Sequence, residues 1–160
     1  MRHAKSSWDS TAGNDFDRPL NGRGKKDAPE MARRLIQSGV AIDLLVSSPA
    51  KRAKKTALLF AGELKRNESE IVYIPELYHA HSDSFYEIIP GFTDSASSVA
   101  IFSHNPGITD FANSLTTTRI DNMPTCSIFA ITIQISAWAD FRDGQKQFLF
   151  FDYPKSTMEH

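Results

Sequence analysis

Arg2, His3, Arg52 and His104 carry, by residue type, the equipment of phosphoryl chemistry. An imidazole can attack an electrophile or donate a hydrogen bond, and a guanidinium presents forked donors that match oxyanion oxygens. Arg2 and His3 are adjacent in Met1-Arg2-His3-Ala4-Lys5. Arg52 lies in Ser47-Ser48-Pro49-Ala50-Lys51-Arg52-Ala53, and His104 in Ser103-His104-Asn105-Pro106-Gly107. Taken singly they mean little. A dipeptide recurs by chance, an Arg in a Lys-rich helix start is usually solvated, and a lone His often serves as a cap or a buried polar residue. Their meaning depends on whether the intervening elements bring them together.

Those elements are legible as period and punctuation. Asp43-Leu44-Leu45-Val46 is an apolar run that stops at Ser47-Ser48-Pro49, which predicts a buried strand. Ala53, Ala57, Phe60 and Leu64 then share one face of a helix over 50–65. A second strand is predicted over 71–74, closed by Pro75, and a short helix over 84–89. Val99-Ala100-Ile101-Phe102 is a third buried run. Beyond the His104 turn, Ile108, Phe111, Ala112 and Leu115 have the spacing of an amphipathic helix. Upstream, Ala28, Met31, Ala32, Leu35 and Ile36 mark a helical face that Gly39 can stop. Its start has two readings: Asp27 as cap with Pro29 in the first turn, or a start near Asn21 that leaves Pro29 inside. From 128 to 135, Phe129, Ile131, Ile133 and Ile135 alternate with smaller or polar residues, as in a strand buried more on one face. Asp143-Gly144 marks a turn, and 147–151 can pair back as a hairpin.

The fold predicted from this order is α/β, a sandwich around a mainly parallel sheet with a β-rich C-terminal end. Ligands of such sheets bind beyond the carboxyl ends of the strands. Arg52, His104 and, by the same reading, His3 fall at those ends. Arg52 and the backbone near Gly107 also sit near helix N-termini, where free N–H groups favour anions. One phosphate site is the natural product.

Composition narrows the class. The 160 residues suit one domain, residues 1–160, with 154–160 as a tail. A net charge of −1 gives no basic face for nucleic acid, and no apolar run is long enough to span a bilayer. The one cysteine, Cys126, cannot close a disulfide within the chain, so the expected setting is a reducing cytoplasm. No cofactor is called for.

Arg2-His3-Ala4-Lys5-Ser6-Ser7-Trp8 followed by Asp15-Phe16-Asp17-Arg18-Pro19-Leu20 resembles the opening of a SixA-type phosphohistidine phosphatase, a member of the phosphoglycerate mutase-like histidine phosphatase superfamily. The stretch from Ser47 to Thr56 is similar to that family's second motif, and His104-Asn105-Pro106-Gly107 to its third. The resemblance runs in order over most of the chain. It implies a three-layer sandwich and a metal-free transfer in which His3 attacks phosphorus to form a phosphohistidine. Arg2, Arg52 and His104 would hold the oxygens, Arg18 the rim of the pocket, and Ser103 and Asn105 would flank the substrate. The implied substrate is phosphohistidine on a signalling or phosphotransfer protein. The alternatives are a small phosphomonoester, or a module that binds phosphate without turnover.

This chain departs from the family's pattern in three places. Ser103 stands where the family has Gly, so its side chain could crowd the phosphate or add a hydrogen bond. Many superfamily members carry an acidic proton donor after the third strand, whereas Glu76 here comes too early. An apolar strand precedes the Arg-His pair in the family, and here only Met1 does, which suggests an incomplete or misassigned start or a strand supplied by another chain. Other candidates read as structure. His79-Ala80-His81 lacks a ligand set for metal and reads as rim or surface. Asp15 and Asp17 read as loop hydrogen-bond acceptors rather than a cation site. The paired cations Lys25-Lys26, Arg33-Arg34 and Lys54-Lys55 read as solvated faces, Cys126 as a buried small residue, and Glu159-His160 as a possible tag remnant.

Overall fold

The structure is a computed structural model that describes residues 1–9 and 13–156; Glu159-His160 lies outside them. Its elements follow the predicted order. They are α1 (Gly22–Gln37), β1 (Leu44–Ser47), α2 (Lys51–Glu63), β2 (Val72–Tyr73), α3 (Ser82–Ile88), β3 (Val99–Phe102), α4 (Gly107–Leu115), β4 (Ile128–Gln134) and β5 (Gln145–Asp152). β1 is the centre of a parallel sheet in the order β2-β1-β3, and β4 and β5 form an antiparallel hairpin.

Alternation along β1 and β3 divides the interior into two layers, because neighbouring strand residues face opposite sides. Leu45, Ala100 and Phe102 join Met31, Leu35, Phe60 and Ala61 under α1 and α2. Val46 joins Phe85, Ile108 and Phe111 under α3 and α4, with Val99 and Ile101 packed beside them. Helices on both faces make the sandwich three-layered. In β4, Ile131 and Ile133 are half-buried while Thr132 and Gln134 are exposed, as the alternation predicts.

Residues 1–3 are extended and join the sheet to the hairpin. The Met1 amino group donates to the Ile101 carbonyl at 2.7 Å, and Arg2 bridges Ser103 in parallel register. On the other side, the Arg2 N–H donates to the Ser127 carbonyl and the Cys126 N–H to the His3 carbonyl, at 3.2 and 3.0 Å. Toward the amino end of β3 this bridge gives way to an apolar cleft of about 460 Å³, walled by Val99–Ile101 and Ile128–Ala130 among others.

The start of α1 settles between the two readings. Asn21 is the cap, accepting from the Gly24 N–H at 2.9 Å, so Pro29 lies inside the helix and removes the bond that residue would have donated to Lys25. Asp27 is not a cap: it is buried within the helix and paired with Arg23 at 3.3 Å. A Cβ at Gly24 would collide with the Lys5 carbonyl oxygen, so the first turn of α1 packs directly on the backbone leading away from His3.

Candidate active site

Four chain segments deliver the predicted side chains to one pocket of about 350 Å³ beyond the carboxyl ends of β1 and β3. Arg2, His3, Arg18, Arg52, His104 and Asn105 all line it. His3 comes from the extended N-terminal stretch, Arg52 from the first turn of α2, and His104 from the turn between β3 and α4. Close backbone contact fixes that last turn: a Cβ on Gly107 would overlap the Ala80 carbonyl oxygen. The 79–81 segment can therefore lie against the start of α4 only because residue 107 has no side chain.

The hydrogen bonds of His3 assign its tautomer. Nδ1 lies 2.7 Å from the Ala4 carbonyl oxygen, an acceptor only, so Nδ1 carries the proton. Nε2 then holds the lone pair, and the Arg52 Nε–H points at it from 3.4 Å. Burial, opposed by the Ala4 bond and reinforced by Arg52, Arg2 and Arg18, lowers the His3 pKa to about 3. The ring is neutral at pH 7. Thr56, one turn after Arg52, ties the two partners together. Its hydroxyl donates to the Arg52 carbonyl at 2.7 Å and accepts from the Ala4 N–H at 3.0 Å.

His104 faces His3 with ring centroids 5.1 Å apart. Its Nε2 contacts the Ser48 hydroxyl at 2.7 Å, and its buried Nδ1 has no partner among the described residues. Burial, then the neighbouring His3 and Arg52, lowers its pKa to about 3. If the Ser48 hydroxyl donates, Nδ1 carries an unused N–H, the kind of group a bound oxyanion satisfies. Arg2 is half-buried, donates through Nη1 to the Met123 carbonyl at 2.8 Å, and keeps a buried Nε without a partner among the described residues.

Arg18 lies at the rim, bonded to Asp15 at 3.1 Å and the Ser6 hydroxyl at 3.0 Å, with its guanidinium 3.7 Å from the centroid of Trp8. Asn105 lines the pocket, but its side chain is committed elsewhere. It donates to Asn122 and to the Met123 carbonyl and accepts from Thr109, so it holds the loop that also receives Arg2. Ser103 does not line the pocket; its hydroxyl donates to the Leu77 carbonyl at 2.8 Å. It neither crowds the space over His3 nor contributes a donor there. His79 joins the wall with its ring tilted against Tyr78, whereas His81 caps α3, its N–H bonded to the Ser84 hydroxyl. Among the described residues no group of His, Cys, Asp and Glu has a metal-site arrangement.

Asp15 and Tyr78 are among the wall residues that escaped the sequence reading as site residues. Asp15, taken as a loop acceptor, reaches Arg52, Arg18 and Tyr78 at once. Tyr78 sits amid an uninformative stretch, and only the fold reveals that it faces His104 at 5.5 Å.

This geometry agrees with the comparisons. Residues 1–88 match the sequence model of the histidine phosphatase superfamily, branch 1, and the chain belongs to that superfamily. An uncharacterized protein of Mycobacterium leprae is 34% identical over 127 residues, which cover 76% of this chain and 74% of that one. The fold is that of a protein histidine phosphatase SixA complexed with tungstate, at TM-score 0.81 and 24% identity, covering 96% of this chain and 94% of the other. It is also similar to the Agrobacterium tumefaciens protein assigned as phosphohistidine phosphatase SixA, with TM-score 0.78, 26% identity and the same coverage.

Proposed function

We propose that this chain removes the phosphoryl group from phosphohistidine on a signalling or phosphotransfer protein, through a phosphohistidine intermediate on its own His3. The observation that carries the reading is the orientation of His3: its proton is engaged by Ala4 and its Nε2 lone pair faces the Arg52 N–H inside the pocket. A phosphoryl group seated there would present its oxygens to Arg52, Arg2, Arg18 and His104, whose donors take up the charge of the transition state. The tungstate held by the SixA relative is an oxyanion of the same kind.

In the first step the Nε2 lone pair attacks phosphorus and the bond from phosphorus to the substrate's imidazole nitrogen breaks. The released imidazole keeps that electron pair and departs neutral when its other nitrogen carries a proton. In the second step water attacks phosphorus, the bond to His3 Nε2 breaks, and both of the water's protons leave with inorganic phosphate. The Ala4 bond keeps the proton on Nδ1 throughout, so His3 also departs as a neutral imidazole.

The one carboxylate among the pocket's lining residues favours this substrate class. The Tyr78 hydroxyl, followed by Arg52 and Arg18, holds Asp15 at about 2 despite the opposing effect of its partial burial. Ionised at pH 7, it is a poor acid for protonating an alkoxide leaving group, and an imidazole needs no such acid. Glu76 is exposed and outside the pocket wall. At the mouth, Trp8 is 78% exposed and Phe16 37%, which suits a partner's surface better than an enclosed metabolite. Three guanidiniums and the Lys5 ammonium supply the positive charge, so the reading is metal-independent. The buried Cys126 thiol fits a cytoplasmic setting.

The test uses a protein phosphorylated on histidine with phosphoramidate, alongside a panel of small phosphomonoesters. The expected result is fastest turnover of the phosphohistidine protein, unaffected by chelator, with an acid-labile phosphoenzyme trapped in wild type and absent from His3→Ala. Faster turnover of the small esters would replace the substrate class, and full activity of His3→Ala would remove the mechanism.

A further inference from the structure

Asp15 carries two interactions with the same side chain. Its backbone carbonyl accepts from Arg52 Nη1 at 2.8 Å, and its carboxylate accepts from Arg52 Nη2 at 3.0 Å. Both terminal nitrogens of the guanidinium are thus tied to one residue, which fixes the plane of the group and leaves its Nε edge turned to His3. A planar fork held at two points has no remaining freedom about its long axis. The clamp is itself anchored. The neighbouring Phe16 carbonyl accepts from the Lys51 N–H at 2.9 Å, at the start of α2, and the Arg18 N–H donates to the Asp15 carbonyl at 3.2 Å. The carboxylate also accepts from the Tyr78 hydroxyl at 2.7 Å and from Arg18 Nε at 3.1 Å.

We infer that Asp15 is a positioning residue that aims the Nε edge of Arg52 at the phosphoryl site over His3 and sets Arg18 beside it. The inference rests on the phosphatase reading above. Asp15 itself makes no bond to phosphate, since an ionised carboxylate repels a phosphoryl dianion. Its action passes through the two arginines. Its carboxylate is half exposed, with 52% of the side chain accessible against 7% for Arg52, so water reaches the Asp15 end of the pair. The arrangement also divides the two arginines chemically. An Asn at 15 can still accept from Arg52 Nη2 and Tyr78 through its one oxygen, but its amide nitrogen would face the Arg18 donor.

The experiment is a double-mutant cycle on the full chain, comparing Asp15→Ala, Asp15→Asn, Arg52→Ala and Asp15→Ala/Arg52→Ala. The readouts are kcat and KM on a phosphohistidine protein and calorimetric binding of inorganic phosphate, which does not require turnover. Expected for Asp15→Ala is a fall in kcat of about 10- to 100-fold. Asp15→Asn should keep kcat within about threefold of wild type while its KM and phosphate dissociation constant change, because Arg52 stays aimed and Arg18 is released. In the Arg52→Ala background, removing Asp15 should change kcat by less than about twofold. Multiplicative losses in the cycle, or Asp15→Ala with unchanged kcat, would overturn the inference while leaving the phosphatase reading intact. An active His3→Ala would instead undo the phosphatase reading. If Asp15→Ala fails to fold, the Asn variant and phosphate binding decide alone: wild-type KM and wild-type phosphate affinity for Asp15→Asn would also overturn it.

Discussion

Two cavities of the molecule are similar in size and opposite in character. One, of about 350 Å³, is walled by three arginines, two facing histidines and Asp15 at the carboxyl ends of the strands. The other, of about 460 Å³, lies between β3 and β4 and is walled mostly by aliphatic and aromatic side chains, with no charged side chain among its lining residues. The larger space has no cluster of cations or imidazoles to hold an anion. What distinguishes the smaller is convergence: His3, Arg52 and His104, from segments about fifty residues apart in sequence, meet in one pocket, where Arg2 Nε and His104 Nδ1 have no partner among the described residues. Polar groups kept unsatisfied in this way cost stability and are retained where a ligand completes them.

If that contrast is real, substitutions in the two cavities should fail in different ways. The largest effect belongs to His3→Ala, which should lower phosphatase turnover by at least about 10³-fold with little change in the thermal midpoint. A melting point that fell in step with activity would make His3 a structural residue. Next comes Phe141→Ala, on the wall of the apolar cavity and 4% exposed. It should cost about 3–5 kcal/mol in denaturant unfolding while kcat per folded molecule stays at the wild-type value. A loss of kcat in that variant would show that the apolar layer reaches the chemistry.

Arg52→Ala should reduce kcat by about 10²–10³-fold, the usual effect of deleting one donor to a charged transition state. Because a buried guanidinium is also relieved, its stability should hold or rise slightly.

The last test is a pH slope. The folded pKa values of His3 and His104 are about 3, below the 6.5 of the free side chain. Below 6.5 the unfolded chain takes up protons the folded one refuses. Their contribution is therefore complete above pH 6.5 and is lost as pH falls toward 3. Replacing either by Gln should flatten that acid limb in urea unfolding. An unchanged limb would mean that the rings are not held neutral by the fold.

Most of the scaffold could be read in advance because it is governed by local pattern. The run Val99-Ala100-Ile101-Phe102 is β3 residue for residue, and the spacing of Ile108, Phe111, Ala112 and Leu115 is the buried face of α4. The start of α1 was ambiguous because both Asn21 and Asp27 are good cap residues. A tertiary contact, Gly24 on the Lys5 carbonyl, accompanies the Asn21 cap and lies within the helix. Ser103 illustrates the opposite limit. Its position beside His104 suggested a role with substrate, but its hydroxyl turns to the Leu77 carbonyl, a partner no spacing rule could have named.

The sequence by itself determined which residue types could do the chemistry, and that Arg52 and His104 would stand at the ends of strands, because strand and helix periods extend over only a few residues. The tertiary structure decided what those residues can do. It put the His3 proton on Nδ1, turned Nε2 toward Arg52, and brought Asp15 and Tyr78 from distant loops into one wall. Tautomer, aim and pKa depend on atoms from several segments within a few ångströms of one another, and only the closed fold supplies them.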